Sequence, residues 1–455
     1  MREMDAVVVF SILSVLLVLG KLLRVRLPIL QRLYLPSSVI GGLLGLAVFT
    51  ALGDWMPGEW LGAMRRMPGF LINVIFATLF LGRAAPTFGR LVRIAFPQLC
   101  LGQILAWGQY VVGLGVAGFL LAPAFGLPPA FGNLLEMGFE GGHGTVGGMV
   151  DSLKSFGWAD GVALGYTMAT VGMILGIVIG MMLVQWAYGK GFVKSVRSFA
   201  MRREYERKGL HLRGARPSAG VQTVYCDSVD SLAWHVAIVG LAVLIGFLML
   251  KGFQLGETWL FPEAKTRIFQ GFPLFPLCMV GGVLLQLGAR AMRQDLLVDR
   301  AQMERVAGAS LDYLVLAAVA TIRLDVVMAN AVPLLILVFC GTLWTVGAIV
   351  FIAPRIFKDA WFERAIAEFG QAMGVTATGL MLLRTVDPEN KTPAAASFAC
   401  KQLLHEPIMG GGIWTALALT LVFTVGWLPV WGFSCLMLVA WGVAAFFLAR
   451  NRARP

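Results

Sequence analysis

Long apolar stretches recur along this chain, and no other feature limits its possible folds so strongly. Lipid offers the backbone no hydrogen-bond partner, so a chain that crosses it does so as a helix of roughly 20 mostly apolar residues or as a closed barrel. Apolar runs lie near residues 6–23, 38–53, 69–82, 98–121 and 161–188, then near 232–250, 273–288, 311–329, 331–353, 407–426 and 429–449. That makes eleven expected spans, several of them short. Apolar residues are 58% of the 455 and charged residues only 14%, where a soluble domain has about 25% charged. The expected fold class is therefore an all-α multi-pass membrane protein.

Charge orients the spans. A net charge of +12 would suggest nucleic acid as the partner of a soluble protein. Here the basic residues fall in alternate loops instead: Lys21, Arg24, Arg26 and Arg32; Arg83, Arg90 and Arg93; nine from Lys190 to Arg216. They continue at Arg290, Arg293, Arg300 and Arg305, at Arg355, Lys358 and Arg364, and in the tail at Arg450, Arg452 and Arg454. The other loops hold few Lys or Arg, interleaved with acids such as Asp54, Glu59, Glu257 and Glu263. By the positive-inside rule the N-terminus lies outside and the C-terminus in the cytoplasm. The first run ends in Lys21, Arg24 and Arg26 rather than at a small-residue cleavage site, so it reads as a span, not a signal peptide. The six cysteines stand singly, without CxxC spacing, which argues against a zinc site or a disulfide framework.

The basic stretch 189–231 reads as a cytoplasmic linker between two comparable halves, 1–188 and 232–426, with 427–455 as an extra span and tail. A shift of 240 lays Pro36, Gly41, Gly42 and Leu44 on Pro276, Gly281, Gly282 and Leu284, Ala77 on Ala317 and Arg83 on Arg323. A shift of 228 lays Glu140 and Gly142 on Glu368 and Gly370. The first half holds an odd number of spans, so its repeat enters from the opposite side. Secondary transporters built this way place their sites at the midplane, where Gly-interrupted hydrophobic segments of the two halves meet. "GNLLEMGFEGGHGTVGGM" (132–149) and "AEFGQAMGVTATGLM" (367–381) fit that description. Eight glycines between Gly126 and Gly148 make a continuous helix poor there. A broken backbone at membrane depth must be buried in protein or line a watery cavity. Re-entrant hairpins are expected near 127–150, entering from outside, and near 365–383, entering from inside.

The GGHGT core (Gly141–Thr145), the Pro-x-x-x-[Ile/Val]-Gly-Gly early in each half and the second Gly/Thr tip resemble the bacterial sodium/glutamate symporter family, in order over nearly the whole chain. The resemblance implies two inverted-topology repeats of about five spans each with re-entrant hairpins. It also implies a homodimer in the cell inner (plasma) membrane and sodium-coupled uptake by a moving transport domain. No cofactor is expected beyond the coupling ion. The chain departs from the pattern at Glu140, where a small residue is usual, and at Phe369–Ala372, in place of a Gly-His-Cys-Gly type tip. Thr415 and Ala418 stand where an Asp and an Asn are expected.

On these grounds substrate contacts are expected at Gly141, Gly142, His143, Gly144, Thr145, Gln371, Gly374, Thr376 and Thr378. Ion coupling is expected at Glu140, Glu368 and Thr415, with sodium near Glu140 and Glu368, because a buried carboxylate binds a cation or a proton. The plainer reading pairs each acid with a structural Arg or Lys. Arg323 and Asp325 read as a structural charge pair, and "LHEP" (404–407) lacks the spacing of a zinc protease. The expected function is sodium-coupled symport of glutamate or a similar small organic anion. The alternative is a proton-coupled carrier of a citrate-like hydroxy-acid on the same fold, and a channel ranks third. No phosphate loop, metal motif or nucleophile elbow points to an enzyme, and nucleic acid is not an expected partner.

Overall fold

The computed structural model describes residues 3–33, 35–82, 88–193, 204–211, 214, 216–262, 269, 272–388 and 391–451. Much of the expected linker, Arg83 of the repeat comparison, and the tail beyond 451 lie outside these residues. The regular elements among the described residues are helices. The first half runs α1 (Glu3–Arg26), α2 (Ser37–Leu52), α3 (Gly58–Thr78), α4 (Phe88–Val116), the short α5 (Leu134–Phe139), α6 (Gly142–Gly148) and α7 (Val150–Ser155), and α8 (Asp160–Gly189). The second runs α9 (Ser231–Leu260), α10 (Phe275–Ala291), α11 (Arg300–Ala320), α12 (Ala331–Gly347), α13 (Trp361–Val386), α14 (Ala394–His405), α15 (Ile413–Thr424) and α16 (Trp427–Asn451).

Seven helices among the described residues are long and apolar enough to cross a membrane. One of them, α13, folds back instead of crossing. Its backbone leaves helical geometry at Gly374 and Val375. Its limbs then lie side by side, so closely that a Cβ on Gly370 would strike Gly379 and one on Gly379 would strike the Ala367 carbonyl. The segment 129–155 also folds back. Met137 on its entering limb and Val146 on its returning limb both press on Gly165 of α8, and the Phe131 and Trp158 rings at its two ends are 6.4 Å apart.

The two hairpins enter from opposite ends of the molecule. Phe156 at the base of the first stacks on Phe423, centroids 4.8 Å apart, at the end where Trp427 covers Gly118. Trp361 at the base of the second meets Phe192, centroids 5.0 Å apart, at the end where α8 stops.

Two packing arrangements recur between the halves. A Cβ on Gly41 of α2 would strike the Leu16 carbonyl of α1, and one on Gly281 of α10 would strike the Ala242 carbonyl of α9. Gly42 then faces Val319 of α11, while Gly282 faces Ala77 of α3. Each glycine-bearing helix thus lies on the other half's third helix, and α3 and α11 pack on each other. Close approach without a side chain is what fixes glycine at these four positions. Both α4 and α12 end in a π-turn followed by Ala-Pro, at Ala117–Pro123 and Ala348–Pro354. Proline lacks an N–H and crowds the carbonyl four residues back, which opens the helix there.

The expected span at 407–426 is drawn differently. Residues 406–412 are not helical; the helix there is 413–424, and α14, which the apolar pattern does not suggest, precedes the break. A helix of 12 residues is about 18 Å long, so α14 and α15 each cover about half a bilayer. Together they have the length of one discontinuous crossing.

Candidate functional site

Three backbone breaks meet at one place: the tip of hairpin 1 at Glu140–Gly142, the tip of hairpin 2 at Gly374–Val375, and the 406–412 gap. A Cβ on Gly142 would strike Val375 Cγ1, and one on Gly411 would strike the Thr145 hydroxyl. Each break turns through the left-handed region, at Gly142 (φ +69), Val375 (φ +64), and Gly410 and Gly411 (φ +65 and +104). Helix ends at such breaks leave N–H and C=O groups without intrahelical partners.

Polar side chains fill the junction. Glu136, wholly buried on the entering limb of hairpin 1, accepts three hydrogen bonds. The Tyr110 hydroxyl donates to one oxygen at 2.7 Å, and the Gly410 N–H and Thr415 hydroxyl donate to the other at 2.9 Å each. Three donors to one carboxyl group suit the ionised form. Thr415 in turn accepts from the Gly411 N–H at 3.1 Å, so it braces the 406–412 gap against hairpin 1. Thr145 donates to the Gly141 carbonyl at 2.9 Å.

Glu140, four residues further on, is bonded through one oxygen to His405 Nε2. The state of His405 follows from its neighbours. The indole N–H of Trp107 is a donor only and donates to Gln103 Oε1 at 2.8 Å. The Gln103 amide nitrogen must then donate to His405 Nδ1, at 3.1 Å. With Nδ1 an acceptor, Nε2 carries the proton and donates to Glu140, so the imidazole is neutral. The second oxygen of Glu140 is buried and has no close hydrogen-bond partner among the described residues, although the Gln371 side chain lies near the carboxylate.

Glu368 has the cationic partner of the plainer reading: it forms a buried ion pair with Lys401 of α14 at 2.9 Å. Gln98 donates to its other oxygen at 2.9 Å, and Lys401 also donates to Gln402 at 3.0 Å. Gln402 donates to the Thr376 hydroxyl at 2.6 Å and to Glu406 at 2.8 Å, and Thr376 donates to the same Glu406 oxygen at 2.8 Å.

The expected residues therefore divide. Gly141, Gly142, Thr145, Glu140, Gln371, Gly374, Thr376 and Thr415 lie at the junction. Thr378 donates to the Gly374 carbonyl and closes the tip of hairpin 2. His143 turns aside: its Nε2 lies 2.9 Å from the Thr170 hydroxyl of α8, and its ring stacks on Tyr166. Gly144 packs against Ile72 of α3. Arg323 pairs with Asp160 and Asp325 at the surface, where such pairs contribute little.

Tyr110, Glu136, Lys401, His405 and Glu406 were not among the expected site residues. The available signal was a Lys, a His and a Glu within six residues of an otherwise apolar approach, "KQLLHE". Two grooves of about 400 and 670 Å3 lie elsewhere, between α4, α12 and α16, and are lined almost wholly by apolar side chains such as Ile104, Trp344 and Trp431.

The sodium/glutamate symporter family profile matches residues 2–389, leaving α14–α16 outside the matched region. A sodium/glutamate symporter of Haemophilus influenzae is 26% identical over 175 residues, which are 37% of this chain and 41% of that protein. The aligned part thus spans less than half of that relative's length. With most of its length matched, the chain belongs to the sodium/glutamate symporter family.

Proposed function

We propose that the protein is a secondary transporter of the plasma membrane that takes up glutamate, or a closely similar small organic anion, together with sodium. The observation that carries this reading is the charge of the junction. Four carboxylates, Glu136, Glu140, Glu368 and Glu406, meet one ammonium, Lys401, where three backbone breaks converge. An anion cannot enter such a site alone. At low effective dielectric the repulsion between like charges a few Å apart amounts to several kcal/mol, so cations must bind with it. That requirement is what couples substrate movement to an ion gradient.

Glu140 is the best place for the coupling ion. Its unpartnered oxygen is buried, and leaving a charged acceptor unmet is costly. A dehydrated sodium ion would meet it, with carbonyls freed at the breaks as further oxygen ligands. The two glycine-bearing hairpins and the reciprocal packing of the halves support the inverted-repeat reading, with 189–231 and the tail in the cytoplasm. A homodimer is the expected assembly by family resemblance.

The test is uptake of radiolabelled L-glutamate by proteoliposomes with sodium and pH gradients imposed separately. An inward sodium gradient at equal pH is expected to drive accumulation, and a pH gradient alone is not. Glu140→Gln is expected to lose gradient-driven accumulation while retaining some substrate exchange. Accumulation driven by pH alone would overturn sodium coupling, and normal sodium-driven accumulation in Glu140→Gln would remove that residue from the ion site.

A further inference from the structure

We infer that Glu406 recognises the α-ammonium group of an amino-acid substrate, which would make it the residue that separates amino dicarboxylates from plain dicarboxylates. The inference rests on the uptake function proposed above and assigns one group of the substrate to one side chain. Glu406 caps α14 at the junction and is half-buried, unlike Glu136, Glu140 and Glu368. One of its oxygens takes both donors, Thr376 and Gln402, at 2.8 Å each. Those two bonds hold the carboxylate in a fixed orientation. Among the described residues no Lys, Arg or His pairs with it, and Lys401, the nearest cation along the helix, is occupied by Glu368.

Size separates this carboxylate from Glu140. The free oxygen of Glu140 is enclosed, with 1% of the side chain exposed, so a bare ion or a proton suits it. Glu406 is half-buried and bonds to half-buried Thr376, whose chain neighbour Ala377 is exposed, so a cation attached to a larger molecule can reach it. The C-terminal end of α14 adds its own negative potential at the same spot. Of the groups on an amino dicarboxylate, only the ammonium fits a carboxylate so placed. Because Thr376 sits at the tip of hairpin 2, an ammonium on Glu406 also bears on the position of that tip.

The experiment is thermal-shift titration of the purified protein in saturating sodium, with L-glutamate and with glutarate, which lacks only the ammonium. Wild-type protein is expected to respond to glutamate at far lower concentration than to glutarate. In Glu406→Gln the glutamate response should weaken by roughly tenfold or more, as for loss of one partner of a desolvated charge contact, while the glutarate response stays level or strengthens. Glu406→Asp should fall between. An unchanged glutamate-to-glutarate ratio in Glu406→Gln overturns the inference, as does an unchanged ratio with a raised sodium requirement, which would make Glu406 an ion ligand. Should Glu406→Gln not fold, Thr376→Val is read in its place; the ratio is expected to shrink, and an unchanged one overturns the inference. If wild-type protein neither takes up nor responds to glutamate, the proposed function falls first and this assignment with it.

Discussion

Lys401 and Glu368 show how much one buried pair constrains this molecule. Both side chains are essentially unexposed, and Gly102 of α4 leaves the space they fill: a Cβ there would strike Lys401 Cε and approach Glu368 Oε2 to 2.9 Å. Removing one partner of a buried pair strands the other charge and costs about 3–5 kcal/mol, whereas replacing both with apolar groups is often neutral. Lys401→Met is therefore expected to lower the melting temperature sharply, and Lys401→Met with Glu368→Leu to recover most of the loss. The double variant also decides the role of Glu368. If the pair is structural, sodium-driven uptake survives in it; if Glu368 holds a coupling ion, uptake is lost although the protein is stable. At this scale the sequence made the acids visible but hid their partners. Glu368 stands out beside a glycine break, whereas Lys401 precedes the apolar run at 407–426 and so reads as a loop residue. What places it inside is the fold-back of α13, which returns the chain to the membrane edge early enough for α14 to enter.

Among the helices and their interruptions, glycine made two of the three breaks legible. Hairpin 1 follows from a glycine-dense segment that cannot hold a spanning helix, and hairpin 2 from the Gly/Thr pattern of 367–381. The third break, at 406–412, escaped because Ile408, Met409 and Ile413 surround Gly410–Gly412 and keep the run apolar on average. Hydropathy measures transfer from water and is blind to whether the backbone can remain helical. The hairpin tips also press on each other. Gly142 faces Val375 Cγ1, and Val375, a β-branched residue, is held at φ +64, a conformation costing about 1–3 kcal/mol. Gly142→Ala therefore meets two penalties, its own positive φ and the valine methyl. Val375→Gly removes the methyl and the strain together. The two substitutions are expected to be non-additive: Gly142→Ala should destabilise less in the Val375→Gly background than alone, by roughly 0.5–3 kcal/mol as for residues in direct contact. Equal destabilisation in both backgrounds, measured by thermal melting, would mean that the tips do not touch.

Considered whole, the protein divides into two sets of helices with an interface made for small side chains. One set is α1–α3 with α9–α11, bound by the reciprocal glycine contacts. The other holds α4, both hairpins, α8 and α12–α16, and contains the junction of breaks. Where hairpin 1 meets the first set, Gly144 faces Ile72, Gly147 faces Pro68, Gly148 faces Phe275 and Gly69 faces the Gly147 carbonyl. The Gly69, Pro68 and Gly147 contact is nearly free of side chains, while Ile72 and Phe275 fill the gaps that Gly144 and Gly148 leave. A seam whose hairpin side is glycine offers those two side chains little to catch on, which suits a carrier if one set moves past the other around a fixed site. Coupled movement predicts that tying the two sets together stops transport without emptying the site. In a background without the six native cysteines, Gly69→Cys with Gly147→Cys places two thiols across this interface, since a Cβ on Gly69 would lie 3.3 Å from the Gly147 carbonyl oxygen. Bridging them with mercuric ion is expected to abolish gradient-driven uptake, to leave substrate-induced thermal stabilisation in place, and to be reversed by excess thiol. The single-cysteine variants should be unaffected by the same treatment. Full uptake by completely cross-linked protein would show that these helices keep their contacts throughout the cycle, and that access to the junction alternates by movement of the hairpin tips alone.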